Sequence, residues 1–131
     1  MAITHRTALY WSGSGSGGLN ISGTVTEVAN AEQNRVLAIA AATPDQEFDL
    51  DFPFAALRSF FALSTQDVTI ETNDGASPDD TITLQAGVPF WWAASSGQAN
   101  PFTADVDTIF VTNAGDNVAT LNIRVLYDAT L

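Results

Sequence analysis

The strongest constraint in this chain is a period of two. In Glu47-Phe48-Asp49-Leu50-Asp51-Phe52, acidic and apolar side chains alternate without a break. Successive side chains of an extended strand point to opposite faces. Phe48, Leu50 and Phe52 therefore share one side, and Glu47, Asp49 and Asp51 share the other. A helix would scatter these residues around its circumference, whereas a half-buried strand sorts them. Leu121-Asn122-Ile123-Arg124-Val125-Leu126-Tyr127 repeats the pattern, with Leu121, Ile123, Val125 and Tyr127 on one face. Val68–Thr72 and Thr81–Gln85 are shorter versions of it.

Turn chemistry separates these runs. Asn73-Asp74-Gly75-Ala76-Ser77-Pro78-Asp79-Asp80 stands between the last two. Asn113-Ala114-Gly115-Asp116-Asn117 divides Thr108–Thr112 from Val118–Tyr127 and reads as a hairpin loop. Thr7–Trp11, Leu19–Val28, Arg35–Ala41, Leu57–Leu63 and Val88–Ala94 are further strand candidates. Val28–Asn34 reads as a loop, and Pro53-Phe54-Ala55-Ala56 as one helical turn. Val28–Ala42 is alanine-rich but lacks a 3.6-residue period, so it is not assigned to a helix. Roughly nine short strands at this spacing are the signature of an all-β sandwich or barrel. With 131 residues the chain forms a single core of this kind.

One segment stands apart. Ser12-Gly13-Ser14-Gly15-Ser16-Gly17-Gly18 has the composition of a flexible loop. It divides an N-terminal arm, residues 1–18, from a β-sandwich domain, residues 19–131. The arm carries no acid, although the whole chain holds 15 Asp and Glu against four Arg and no Lys, a net charge of −11. Nucleic-acid binding needs a basic footprint that Arg6, Arg35, Arg58 and Arg124 do not supply, and the acidic field repels anionic membranes. Neither nucleic acid nor a membrane is therefore an expected partner. The chain has no cysteine, which removes thiol catalysis and disulfide staples. No apolar leader is expected at the N-terminus, so synthesis and retention in a cytoplasm are expected.

Candidate sites are few. Gly13-x-Gly15-x-x-Gly18 matches a dinucleotide fingerprint formally, but the strand-like Leu19–Gly23 follows it where a helix is required. His5 is the only histidine, and a Ser-His-Asp triad would have to run through it. It reads as a tail residue. Glu47, Asp49 and Asp51 lie at i, i+2 and i+4 and read as the solvated face of a strand. Asp74, Asp79 and Asp80 form a second acidic group whose spacing does not fit an EF-hand. No catalytic, cofactor-binding or metal-binding residue is assigned, and no cofactor is expected.

The aromatic residues say more. In Phe90-Trp91-Trp92 the two tryptophans must face opposite sides of a strand, and Phe60-Phe61 poses the same problem. Leu126 interrupts an otherwise polar outward face. Strands that are apolar on both sides need a cover, either a loop of the same chain or another subunit. Trp11, Phe60, Trp91, Trp92 and Leu126 are the interface candidates.

The order of motifs in the last fifty or so residues adds a resemblance. Thr83-Leu84-Gln85-Ala86-Gly87-Val88-Pro89-Phe90-Trp91-Trp92 leads into Asn100-Pro101-Phe102, then Asp105–Asn113, then Ala119–Leu126. It resembles small β-rich structural proteins of tailed bacteriophages, including those that decorate or cement capsids. The resemblance implies a jelly-roll-like sandwich, a homo-oligomer and often a trimer, contact with a major capsid protein, and location in the virion after synthesis in the host cytoplasm. It carries over no site residues. Two other classes are weighed beside it. In a carbohydrate-binding module, Tyr10, Trp11 and Trp91 or Trp92 would stack on sugars and the acids would hold Ca²⁺. In a hydrolase, Asp49 and Asp51 would form the carboxylate pair.

Overall fold

The computed structural model describes residues 2–12 and 20–129. These contain ten strands: β1 (Ile3–Ser12), β2 (Asn20–Ala29), β3 (Ala31–Ile39), β4 (Thr43–Phe52), β5 (Leu57–Ser64), β6 (Val68–Thr72), β7 (Thr81–Leu84), β8 (Phe90–Ala93), β9 (Val106–Asn113) and β10 (Ala119–Tyr127). The expected turn after Pro53 is present as a short 3-10 helix, Phe54–Ala56. The protein is all-β, with two four-stranded antiparallel sheets plus a hairpin. The sheets run in the orders β3-β10-β5-β8 and β4-β9-β6-β7. The pairs β3·β10, β4·β9, β5·β8 and β6·β7 nest inside one another, as in a long hairpin rolled up on itself, which is a jelly-roll-like arrangement.

The alternation does what the sequence requires of it. Leu50 and Phe52 of β4, Ile70 of β6, Ile109 and Val111 of β9, and Leu121, Ile123 and Val125 of β10 meet in one core between the sheets. Its centre is aromatic. Phe102 packs edge-on against Phe52 and Phe60, with ring centroids 5.1 and 5.0 Å away, and Phe90 packs edge-on against Phe60 at 6.0 Å.

Two asparagines tie the ends of the sandwich. Asn113 is completely buried; its amide donates to the carbonyls of Ile39, Ala40 and Asn117 at 3.1, 3.2 and 2.8 Å, and its oxygen accepts from the Gly115 N–H. Asn73 adopts a left-handed φ of 68°. Its amide donates to Asp79 and to the Asp105 carbonyl, and its oxygen accepts from the Asp107 N–H.

Val28–Asn34 is not a loop. β2 continues to Ala29 and β3 begins at Ala31, with only Asn30 between them. The start of β3 was hidden because it is an edge strand with polar side chains on both faces, while its second half, Arg35–Ile39, falls in the expected strand Arg35–Ala41. Gln33 and Arg35 point inward, where Gln33 bonds to Asp51 and Arg35 donates to the Asp49 carbonyl.

The N-terminal segment also has more order than an arm. β1 pairs with β2 from Ile3–Ala29 to Ser12–Asn20, and neither strand joins the larger sheets. The expected division at Gly18 falls between these two paired strands, and Asn30 separates the pair from β3. The glycine-serine run from Gly13 onward lies outside the described residues.

Candidate functional site

The two outer faces of the sandwich differ in chemistry. On the β4-β9-β6-β7 sheet, Glu47 and Glu71 flank Phe110 in register, with Asp49 and Asp45 nearby. Partial burial raises the Glu71 carboxyl above the usual carboxylate range, and the charge of Asp45 adds to the effect. The β3-β10-β5-β8 sheet presents the opposite. One row across it reads Asn34, Arg124, Phe61, Trp91, and the next reads Val36, Asn122, Leu63. Neither row holds an acid.

The neighbouring row, Glu32, Leu126, Ser59 and Ala93, lies under the β1–β2 hairpin. Alternation along the hairpin gives it a docking side. Ile3, His5 and Thr7 of β1 face Ala29, Glu27 and Val25 of β2 in register, and each of these residues is at least partly covered. The hairpin buries Leu126 to zero exposure, the full apolar benefit of that side chain, about 2 kcal/mol. Polar contacts fix its position. His5 Nε2 lies 2.9 Å from Glu32 Oε2, and Nδ1 lies 3.0 Å from Ser59 Oγ. The side chain and backbone N–H of Ser95 donate to the buried Glu27. The hydrogen bond from His5 holds Glu32 below the usual carboxylate range.

Ser59, His5 and Glu32 stand in series like the groups of a nucleophilic triad. Ser59 and His5 line a cleft of about 420 Å³ between β1 and Phe61 and Arg124. Their setting fits a clasp better. Ser59 is buried in mid-strand and paired on both sides, to Leu126 and Ala93. Its backbone N–H belongs to the sheet and is not free to hold an oxyanion.

Past Thr7 the hairpin leaves the body. Every residue from Ala8 to Ser12 is exposed, with Leu9, Tyr10 and Trp11 at 45, 69 and 59%. Leu9 and Trp11 share one face of the strand and Tyr10 takes the other.

The five interface candidates therefore divide. Trp11 is exposed and Trp91 is half-buried on the open row. Phe60 and Trp92 face the core, Trp92 with its indole N–H donating to the Gln98 carbonyl at 2.9 Å. Leu126 is covered by the chain's own hairpin. In this conformation Phe60, Trp92 and Leu126 are buried within the chain itself, although Trp92 also lines the wall of a surface groove. The doubled aromatics split between core and surface as alternation demands, and the sequence did not say which of each pair turned inward.

His5 is likewise not a tail residue but the centre of the hairpin's docking contact. Ile3, His5 and Thr7 share one face, but only Ile3 is apolar, so no hydrophobic pattern in the sequence marked that face. The acidic groups do not converge. Asp49 lies on the outer face, and Asp51 accepts from Gln33 at the sheet edge. In the β6–β7 loop, Asp74 accepts from the Ala76 and Ser77 N–H groups, and those bonds lower its carboxyl. Asp79 is bonded by Asn73, and Asp80 by the Thr103 hydroxyl and N–H. Among the described residues no group of three His, Asp or Glu is placed to hold a metal ion.

Comparison with known proteins adds little. No protein family matches the sequence, and no curated protein does. A de novo designed double-stranded β-helix, solved in solution by NMR, is similar in structure: it is 13% identical, the match covers 71% of this chain and 97% of the designed one, and the TM-score is 0.42.

Proposed function

We propose that this chain is a non-enzymatic structural protein of a tailed-bacteriophage virion, a capsid decoration protein that self-associates and binds the major capsid protein lattice. One observation carries the reading: exposed aromatic and aliphatic side chains collect on the hairpin-bearing face, while the opposite face is acidic and threonine-rich. Such polarity suits a subunit that buries one side against protein and shows the other to solvent. The motif order of the last fifty or so residues supports the viral setting, and the expected assembly is a homotrimer. Sedimentation velocity of the purified chain tests the association. Co-sedimentation with heads of the phage whose genome encodes it tests the lattice contact. A monomer that stays in the supernatant overturns the reading.

A carbohydrate-binding role is the second reading. A groove of about 430 Å³ is lined by Phe90, Trp91, Trp92, Gln98, Ala99 and Pro101, an aromatic wall beside an amide. Binding on a glycan array that disappears in Trp91→Ala would favour it, and silence across the array removes it.

A further inference from the structure

We infer that the open half of the hairpin-bearing face is the docking site for the hairpin tip of another copy of this chain. Leu9 and Trp11 of one copy would cover Phe61, Leu63, Trp91 and Val36 of the next. The covered half of the same sheet sets the precedent. There the base of the hairpin already lies across Leu126, Ser59 and Ala93, so this surface accepts a two-stranded ribbon laid on it. The adjoining rows continue that surface with only partial cover: Phe61 and Arg124 wall a cleft with β1, and Val36 beyond them is 65% exposed.

Charge selects the occupant. All 15 acids and three of the four arginines lie beyond Thr26, a net −12 there against +1 before it. Two bodies of this charge repel each other over most of their surfaces. The hairpin tip holds no acid, and neither do the rows Asn34–Trp91 and Val36–Leu63. Tip against open row is therefore an apposition of two copies that brings apolar groups together without placing carboxylate on carboxylate, and the ribbon already laid on this sheet favours it over tip against tip. The tip and the row are different surfaces, so a head-to-tail contact between them closes into a ring when the rotation allows. The contact rests on the self-association proposed above and is separable from it.

The test is sedimentation equilibrium of the full chain and three variants. Leu9→Ser/Trp11→Ser alters exposed positions and is expected to keep its melting temperature while weakening association by about tenfold or more. Val36→Glu places a carboxylate in the open row and is expected to do the same, which keeps the test intact if the tip variant fails to fold. Val118→Glu, exposed in the β9–β10 loop, is the control and is expected to associate like the parent. A monomeric parent overturns both this contact and the association reading. An oligomer that survives the tip and Val36 changes overturns this contact alone.

Discussion

At the residue scale, the structure concentrates its cost and benefit in a few polar side chains. Asn113 satisfies three carbonyls and one N–H from a fully buried position. Asn113→Ala leaves the buried Ile39 carbonyl without a donor and unties the loop groups around it, and the expected loss is about 1–3 kcal/mol in urea denaturation. Asn113→Asp should be no milder, since a carboxylate cannot donate to the carbonyls of Ile39, Ala40 and Asn117. Glu71 works in the opposite sense. Its carboxyl is raised in the folded state by partial burial and by Asp45. The folded chain holds that proton more tightly than the unfolded one, so stability falls as pH rises from the ordinary carboxylate value through the raised one. Glu71→Gln removes the charge and keeps a donor for Asp45. The variant should melt higher at pH 7 by about 0.5 kcal/mol, discounted because the site is partly solvated. The gain should vanish in acid, where both states are protonated; a gain unchanged at pH 3 would contradict the assignment.

At the element scale, the hairpin is the part held by the fewest interactions. It shares no ladder with the sandwich. His5, Glu27, Leu126 and the Asn30–Ala129 pair of hydrogen bonds keep it in place. His5→Ala should weaken docking by about 1 kcal/mol. Amide exchange should then rise in β1 and β2 while β10 stays protected, and uniform exchange would mean that the hairpin is not a separate unit. Glu32 adds a pH dependence of definite sign. Its carboxyl is lowered by the hydrogen bond from His5, so its contribution is complete above the unfolded value and is lost as pH falls through the folded one. Exchange in β1 should therefore accelerate below about pH 4 before the sandwich melts.

The sequence was legible where an element faced a core on one side and water on the other. β4, β6, β7, β9 and β10 are of this kind. It was illegible in the first half of β3, Ala31–Asn34, where Gln33 finds a polar partner at the sheet edge, whereas Arg35–Ile39 was read as a strand. Thr7–Trp11 and Leu19–Val28 were read as strands, but the docking of the β1–β2 pair hid for a related reason: its docking side is a mixture of Ile3, His5, Thr7 and Glu27 that no hydrophobicity pattern marks. The candidate site suffered most, because alternation tells that Trp91 and Trp92 diverge but not which one meets the core.

At the scale of the whole molecule, strand partners are set by the closing of the roll, β3 on β10 across nearly the full body, and face periodicity does not encode that choice. What the sequence does encode globally is charge. Each copy carries −11, and the open apolar rows themselves hold no acid, Glu32 standing in the row beside them. Two terms then oppose each other in any self-contact: burial of Leu9, Trp11, Phe61 and Trp91 favours it, and body-to-body repulsion resists it. Salt separates them. The screening length shrinks from about 30 Å at 10 mM to about 8 Å at physiological ionic strength, so repulsion between bodies fades while apolar burial does not. Association of the purified chain should thus tighten severalfold between about 10 and about 150 mM NaCl, read by sedimentation equilibrium. An interface built on ion pairs with the four arginines would loosen over the same range, and that outcome would place the contact elsewhere on the molecule.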